Sequence, residues 1–373
     1  MISKIKKPIL DVKSFKDDEE KTSASISDKN YYKDLKKMNE YLRQNYCKFS
    51  EEFELINYIN SGSSGIVYEG RTKRGKKKKL ALKFQIEEKK GKGTQEISIL
   101  RKLHNKNITE IYAYIKMNDY SNFCALELGN YGDLDHFQQV LLQKKVLSET
   151  MINYFARQIL EALDYIHRCK IIHMDIKQGN LLVDSELNIK LTDFSVSCYY
   201  GSFNVGDTVK FPLVGTRKYM SPEVIGRTHM KIKEAEKIDI YSLGVTLYNL
   251  AFDTYPYKLD KVKGKEYDDI LNNIKNEKLD FPGDRKVSEM FKDFLRGLLE
   301  KDYNKRFNIR KALNHPFIIG SKIIFDEKEN ISNNENFLIN LITDSIPKFN
   351  EYIKNDKNAF NEWNNRALEI NIF

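Results

Sequence analysis

Ile172-His173-Met174-Asp175-Ile176-Lys177-Gln178-Gly179-Asn180-Leu181-Leu182, with Leu191-Thr192-Asp193-Phe194-Ser195 a few residues further on, decides how this chain is read. Residues 181–183 and 189–191 are apolar runs that read as short strands, and Ile171-Ile172 is a third apolar patch. The polar residues between the first patch and the first of those strands therefore share one loop. Counted from Asp175, Lys177 stands at +2 and Asn180 at +5. A carboxylate in such a loop accepts a proton, an ammonium neutralises phosphate, and an amide oxygen holds a metal ion. Asp193 follows Asn180 by thirteen residues and places a second carboxylate at a strand end, a hard oxygen donor suited to magnesium. Each fragment alone is an ordinary polar turn. Their order and spacing point to one site.

Working towards the N-terminus, Ala81-Leu82-Lys83-Phe84 places a lysine inside an apolar strand, a costly burial without an anionic partner. Glu96, thirteen residues on, lies in a segment of helical spacing (Ile97, Leu100, Leu103) over 94–103 and is the candidate partner. Further upstream, Asn60-Ser61-Gly62-Ser63-Ser64-Gly65-Ile66-Val67 joins two strand-like runs through small residues. Such a hairpin lets backbone amides approach a polyphosphate. No Lys-Ser/Thr follows Gly65 and the next element is a strand, which argues against a P-loop and a dinucleotide-binding βαβ unit.

Strand patterns at 53–59, 65–70, 80–85, 108–115 and 123–128 surround that single helix. After Gly129 the pattern turns helical, at 149–168, 237–252, 267–276 and 288–300. Strands first and helices second predict an α+β chain of two lobes. Residues 1–52 read as an N-terminal extension, partly disordered or helical, and 319–373 as a helical C-terminal extension. The chain has 373 residues, 41% apolar and 31% charged, ample for a packed core. Its net charge of +9 admits phosphate-bearing ligands, nucleic acid or acidic surfaces. Seven cations fall in the nine residues 71–79, read first as a solvated turn, with nuclear import or an acidic partner as alternatives. Cys47, Cys124, Cys169 and Cys198 form no CxxC pair, which argues against a zinc site or a disulfide frame. The first residues lack an apolar signal core, and no run of about 18 apolar residues suggests a membrane span.

Over residues 53–318 the sequence resembles the eukaryotic protein kinase family. The resemblance implies a bilobal fold, with an antiparallel-sheet N-lobe over 53–128 carrying one main helix and a larger helical C-lobe over 129–318. It implies that 60–67 is the glycine-rich loop, Lys83 the lysine on the α- and β-phosphates, and Glu96 its partner. Glu127, Leu128 and Gly129 would be the hinge that meets adenine through backbone groups, with Leu126 as gatekeeper. Val67, Ala81 and Leu182 would sandwich the base, and Asp133 would reach the ribose. Asp175 would be the catalytic base, Lys177 the γ-phosphate lysine, and Asn180 and Asp193 the ligands of Mg2+ or Mn2+. Thr216 would bond Asp175 and Lys177, Glu223 would pair with Arg306, and Asp239 would support the catalytic loop. The implied function is ATP-dependent phosphorylation of Ser/Thr hydroxyls on a protein substrate, by a monomer without nucleic-acid partners, in the cytoplasm or nucleus.

Three positions depart from the family pattern. Met174 stands where relatives carry an Arg that clamps a phosphorylated loop, and a thioether makes no bidentate charged bond. Activity is therefore expected without phosphorylation through that site. Ser195 replaces a Gly after Asp193-Phe194, and its Cβ should hinder an outward swing of Phe194. Asn60 replaces the first loop Gly and is a residue that tolerates the left-handed region. Met174 and Ser195 are the support for an alternative, a pseudokinase scaffold that binds nucleotide or partners without efficient transfer. A kinase of lipids or small metabolites is a third reading, disfavoured by 216–223, which resembles a peptide-docking platform.

Overall fold

A computed structural model describes residues 40–319, apart from 41, 45–46, 63–64, 76, 87–92, 119–120, 142–146, 259–265 and 284. The expectations for 1–39 and 320–373, and for Ser63 and Ser64, lie outside the described residues. The chain divides into two units, residues 1–129 with 193–195 and residues 130–192 with 196–373.

The first unit is built on five antiparallel strands in the order β1-β2-β3-β5-β4. These are β1 (Phe53–Gly62), β2 (Gly65–Thr72), β3 (Lys79–Ile86), β4 (Ile111–Asn118) and β5 (Ser121–Leu126). Gly65 closes the β1–β2 hairpin at φ +131°, and a Cβ there would stand 2.3 Å from the Phe84 carbonyl oxygen, so no other residue fits. β3 alternates: Leu80, Leu82 and Phe84 enter an apolar core, and Ala81, Lys83 and Gln85 occupy the opposite face. Both faces are buried.

Helix α1 (Cys47–Glu52) precedes the sheet and completes that core. Phe49 lies 4.4 Å from Phe123 and 5.0 Å from Phe53, ring centre to ring centre, and Leu42 is equally buried. The basic turn holds α1 in place. The Lys73 amide donates to the Glu52 carbonyl at 2.8 Å, and the Lys73 ammonium donates to the Ser50 carbonyl. Arg74 meets Glu51 and Glu52 at 3.4 and 3.1 Å. Arg71 pairs with Glu54, Lys79 with Glu69, and Lys78 lies over the Tyr112 ring. Much of the charge in 71–79 is thus engaged within the unit. Helix α2 (Gly93–Leu100) completes this unit and carries Glu96.

In the second unit, helix α3 (Glu149–Arg168) starts where the Ser148 hydroxyl accepts from the Met151 amide at 3.2 Å. Its apolar stripe is buried throughout. Helix α4 (Lys237–Phe252) is buried on all sides, so it shows no amphipathic period. Helices α5 (Glu266–Asn276) and α6 (Glu289–Leu298) follow, the latter capped by Ser288. Three two-stranded ribbons carry the polar loops: β6 (Ile171–Ile172) with β9 (Cys198–Tyr199), β7 (Leu181–Val183) with β8 (Ile189–Leu191), and β10 (Thr208–Val209) with β11 (Met230–Lys231). The Arg306 guanidinium, fully buried, grips Glu223 through two bonds of 2.7 and 2.9 Å. Among the described residues no helix is long and apolar enough to cross a membrane, and Cys124, Cys169 and Cys198 are free thiols.

Candidate active site

In the first unit a buried ionic cluster forms around Lys83. The Lys83 ammonium donates to both oxygens of Glu96 at 3.0 Å and lies 3.4 Å from Asp193 Oδ1. The strand period sets Lys83 on the face towards α2, and Glu96 projects from that helix to meet it. Burial alone would lower the lysine pKa, but the charges of Glu96 and Asp193 outweigh it and hold the ammonium above its ordinary range. Lys83 is therefore a permanent cation with one donor turned towards a second anion. Gln85, on the same face of β3, donates its side-chain amide to Glu96 Oε2 and accepts from the Cys124 thiol at 3.8 Å. Burial, with the Glu96 charge adding to it, pushes that thiol pKa up, so it stays protonated as a donor. Neither Gln85 nor Cys124 was legible as a site residue. A polar residue two places after a lysine in a strand has no motif of its own.

Other residues expected at the nucleotide are distributed along the same sheet. Val67 lies opposite Lys83 on β2, Ala81 opposite Leu126 on β5, and both Ala81 and Leu126 are buried. Gly62 pairs with Gly65 at the end of the hairpin, and the Tyr58 hydroxyl donates to Ser61 at 2.9 Å. Asn60 differs from its expectation. It lies in β1 opposite Val67 and is absent from the described residues with positive φ, so its left-handed tolerance is not used. Its side-chain oxygen instead accepts from the Ser61 amide at 2.7 Å. The Glu127 amide is also committed, donating to the Glu110 carbonyl at 2.8 Å. This leaves any amide donation to a ligand in this segment to Leu128 and Gly129.

In the second unit a polar cluster forms around Asp175. Asp175 Oδ1 accepts from the Thr216 amide at 2.6 Å, and Oδ2 accepts from Lys177 Nζ at 2.7 Å and from Asn180 Nδ2 at 3.0 Å. Lys177 Nζ also donates to Thr216 Oγ1 at 2.7 Å. Asn180 donates in addition to the Asp175 carbonyl at 2.7 Å. The donor end of that amide is spent on Asp175, so its oxygen is what Asn180 offers a cation. Gly215, at φ +95°, lets this segment pass: a Cβ there would stand 2.4 Å from the Met174 carbonyl oxygen.

Asp239, completely buried on α4, anchors the loop. Its Oδ2 accepts from the His173 amide at 2.9 Å and meets His167 Nε2 at 2.8 Å, and its Oδ1 accepts from the Met174 amide at 2.9 Å. Met174 is buried at φ +68°, a strained conformation for a non-glycine residue, and these bonds hold it. The His173 ring meets the Thr192 carbonyl at 2.9 Å. Asp133 caps a short helix, its carboxylate accepting from the His136 amide at 2.8 Å, and its backbone bridges to Leu182. Sequence reading missed the contact from His167, which lies in the last turn of α3 and carries no motif.

Lys83, Glu96 and Asp193 therefore come together in the first unit, and Asp175, Lys177, Asn180 and Thr216 in the second. No group of three or more His, Cys, Asp or Glu side chains able to hold a metal ion occurs among the described residues.

Comparison with known proteins agrees with this geometry. The model of the protein kinase domain matches residues 53–318. Serine/threonine-protein kinase TIO of Arabidopsis thaliana is 31% identical over 278 residues, covering 72% of this chain and 19% of that protein. Probable serine/threonine-protein kinase fhkA of Dictyostelium discoideum is 30% identical over 305 residues, covering 72% of this chain and 50% of the relative. Death-associated protein kinase 2 of Homo sapiens is 30% identical over 298 residues, covering 77% and 75% respectively. The chain thus spans a fifth of the first relative's length, half of the second's and three quarters of the third's. With the domain matched from end to end and both ionic clusters assembled, this chain belongs to the protein kinase family.

Proposed function

We propose that the chain transfers the γ-phosphoryl group of ATP to serine or threonine hydroxyls of protein substrates, with residues 53–318 as the catalytic domain. The observation that carries this reading is the Asp175 carboxylate, held from both sides by the Thr216 amide, Lys177 and Asn180. It is buried, aimed and ionically balanced, as a base that orients a hydroxyl must be. In the step proposed, the acceptor oxygen forms a bond to the γ-phosphorus while the bond from that phosphorus to the β,γ-bridging oxygen breaks. The hydroxyl proton passes to Asp175, and ADP leaves. Lys177 stands within reach of both Asp175 and Thr216 and offsets charge on the transferred group. Lys83, fixed by Glu96, offers its ammonium to the α- and β-phosphates. Magnesium or manganese, when held by Asp193 and Asn180, would neutralise the phosphate oxygens. Lysine at +2 from Asp175 and its bond to Thr216 favour Ser/Thr over Tyr acceptors, by the family resemblance.

The test supplies ATP labelled on the γ-phosphate to the full chain with dephosphorylated casein or with small hydroxyl acceptors. Label on casein that depends on Lys83 and Asp175 supports the reading. Label on small acceptors alone, or tight nucleotide binding without transfer, overturns it.

A further inference from the structure

Gln85 has no part in the phosphoryl-transfer scheme above, yet it is buried at the centre of the first cluster. A carboxylate accepts several hydrogen bonds, and Lys83 supplies one to each oxygen of Glu96. The Gln85 amide supplies another to Oε2. Its own carbonyl takes the Cys124 thiol, which keeps the NH2 end turned towards Glu96. The register of β3 on β5, with Lys83 opposite Cys124, places Lys83, Gln85 and Cys124 on one face. Lys83 also faces Asp193, so its three hydrogens are already divided between two carboxylates. An ammonium that must turn towards phosphate loosens its hold on Glu96. Helix α2 has only eight residues and little stability of its own. A second donor, rooted on the rigid strand, keeps Glu96 satisfied whatever Lys83 does.

We propose that Gln85 is a positioning residue: its side-chain amide fixes the Glu96 carboxylate, and through it Lys83, in the arrangement that binds ATP phosphates. This rests on the reading of Lys83 and Glu96 given under the proposed function. Gln85 is not a catalytic residue, because it acts through Glu96. The hydrogen bond it makes to a buried carboxylate is of the charge-assisted kind, whose loss corresponds to about tenfold or more in an equilibrium.

The experiment uses the full-length chain with ATP and dephosphorylated casein. Gln85→Met keeps length and burial but removes the amide. It should lower kcat/KM for ATP about tenfold, leave the KM for casein unchanged, and cost no more in a Glu96→Gln background than about twofold. Gln85→Glu places a second carboxylate beside Glu96, where the groups facing it are Lys83, Glu96, Cys124 and, beyond Lys83, Asp193. Two carboxylates against one ammonium must share a proton. The deficit of that variant relative to wild type should therefore narrow as the pH falls from 8 to 6, a readout that survives if Gln85→Met does not fold. Wild-type kinetics for Gln85→Met, losses that multiply with those of Glu96→Gln, or a pH-independent deficit in Gln85→Glu would each overturn the proposal. Unchanged activity in Glu96→Gln alone would instead remove the reading of Lys83 and Glu96 beneath it.

Discussion

Asp239→Asn changes one atom of a fully buried side chain, and its effect can be worked from the bonds that side chain makes. The carboxylate accepts three hydrogen bonds: two on Oδ2, from His173 N and His167 Nε2, and one on Oδ1, from Met174 N. An asparagine keeps one oxygen. Turned to serve His173 and His167, it presents its NH2 to the Met174 amide, donor against donor. One bond to a charged acceptor is lost, worth about 1.5–3 kcal/mol, and the remaining two lose their charge assistance, about half their strength. The sum is about 3–6 kcal/mol. Met174 would then be free to leave its left-handed conformation, which costs about 1–3 kcal/mol to maintain. Asp175 is the next residue, and a displacement of about 1 Å at such a group costs about a hundredfold in rate. Thermal unfolding and casein phosphorylation measured on the same preparation give both quantities. At about 2–4 °C per kcal/mol, the melting temperature should fall by about 6–24 °C, and kcat/KM by about a hundredfold or more. A melting temperature within about 2 °C of wild type with activity intact would refute the assignment of Asp239 as the anchor of the loop.

Phe49→Ala should cost about 3–5 kcal/mol in chemical denaturation, although residue 49 precedes the family match, because its ring is buried against Phe53 and Phe123; a loss under about 1 kcal/mol would contradict that packing. Ser202→Ala and Thr208→Ala together should leave most casein phosphorylation in place, since backbone pairing of β9 with β6 and β10 with β11 already holds this loop and Met174 offers no clamp for phosphate; near-total loss would count against this. Lys83 has a folded pKa above its ordinary 10.5, so the stability its charge contributes is fully present below that value and lost only as pH rises through the folded pKa. The stability difference between wild type and Lys83→Met should therefore be flat from about pH 6 to 9, and a decline within that window would show that the ammonium is not held as described.

The elements with a clear period were legible in the sequence. Helices over Glu149–Arg168 and Lys237–Phe252 and strands over Leu181–Val183 and Ile189–Leu191 have the limits that their apolar patterns suggest. The expected strand at 108–115 instead begins at Ile111 and runs to Asn118, because Ile108 forms only a single bridge ahead of it and β4 continues through polar residues. Helix α1 was not read, since six residues carry less than two turns of pattern and what fixes them is tertiary: the Phe49 ring and the basic turn. The described cations of 73–79 are exposed, as a solvated turn should be, but the carboxylate partners of 71–79 were not legible, because Glu51, Glu52, Glu54 and Glu69 are spread through three elements. Lys83, Glu96 and Asp175 were marked by spacing. Gln85 and His167 were not, because their importance lies only in the group each one faces.

The most direct test of the whole account is phosphoamino-acid analysis of casein incubated with the full chain, labelled ATP and Mg2+, beside the Asp175→Asn variant. Phosphoserine or phosphothreonine formed by the wild type, and reduced by about a thousandfold or more in the variant while ATP affinity is retained, is the result expected for a base of this kind aided by positioning. Equal labelling by both proteins, or none by either despite nucleotide binding, would contradict the claim that Asp175 is the base of a protein kinase.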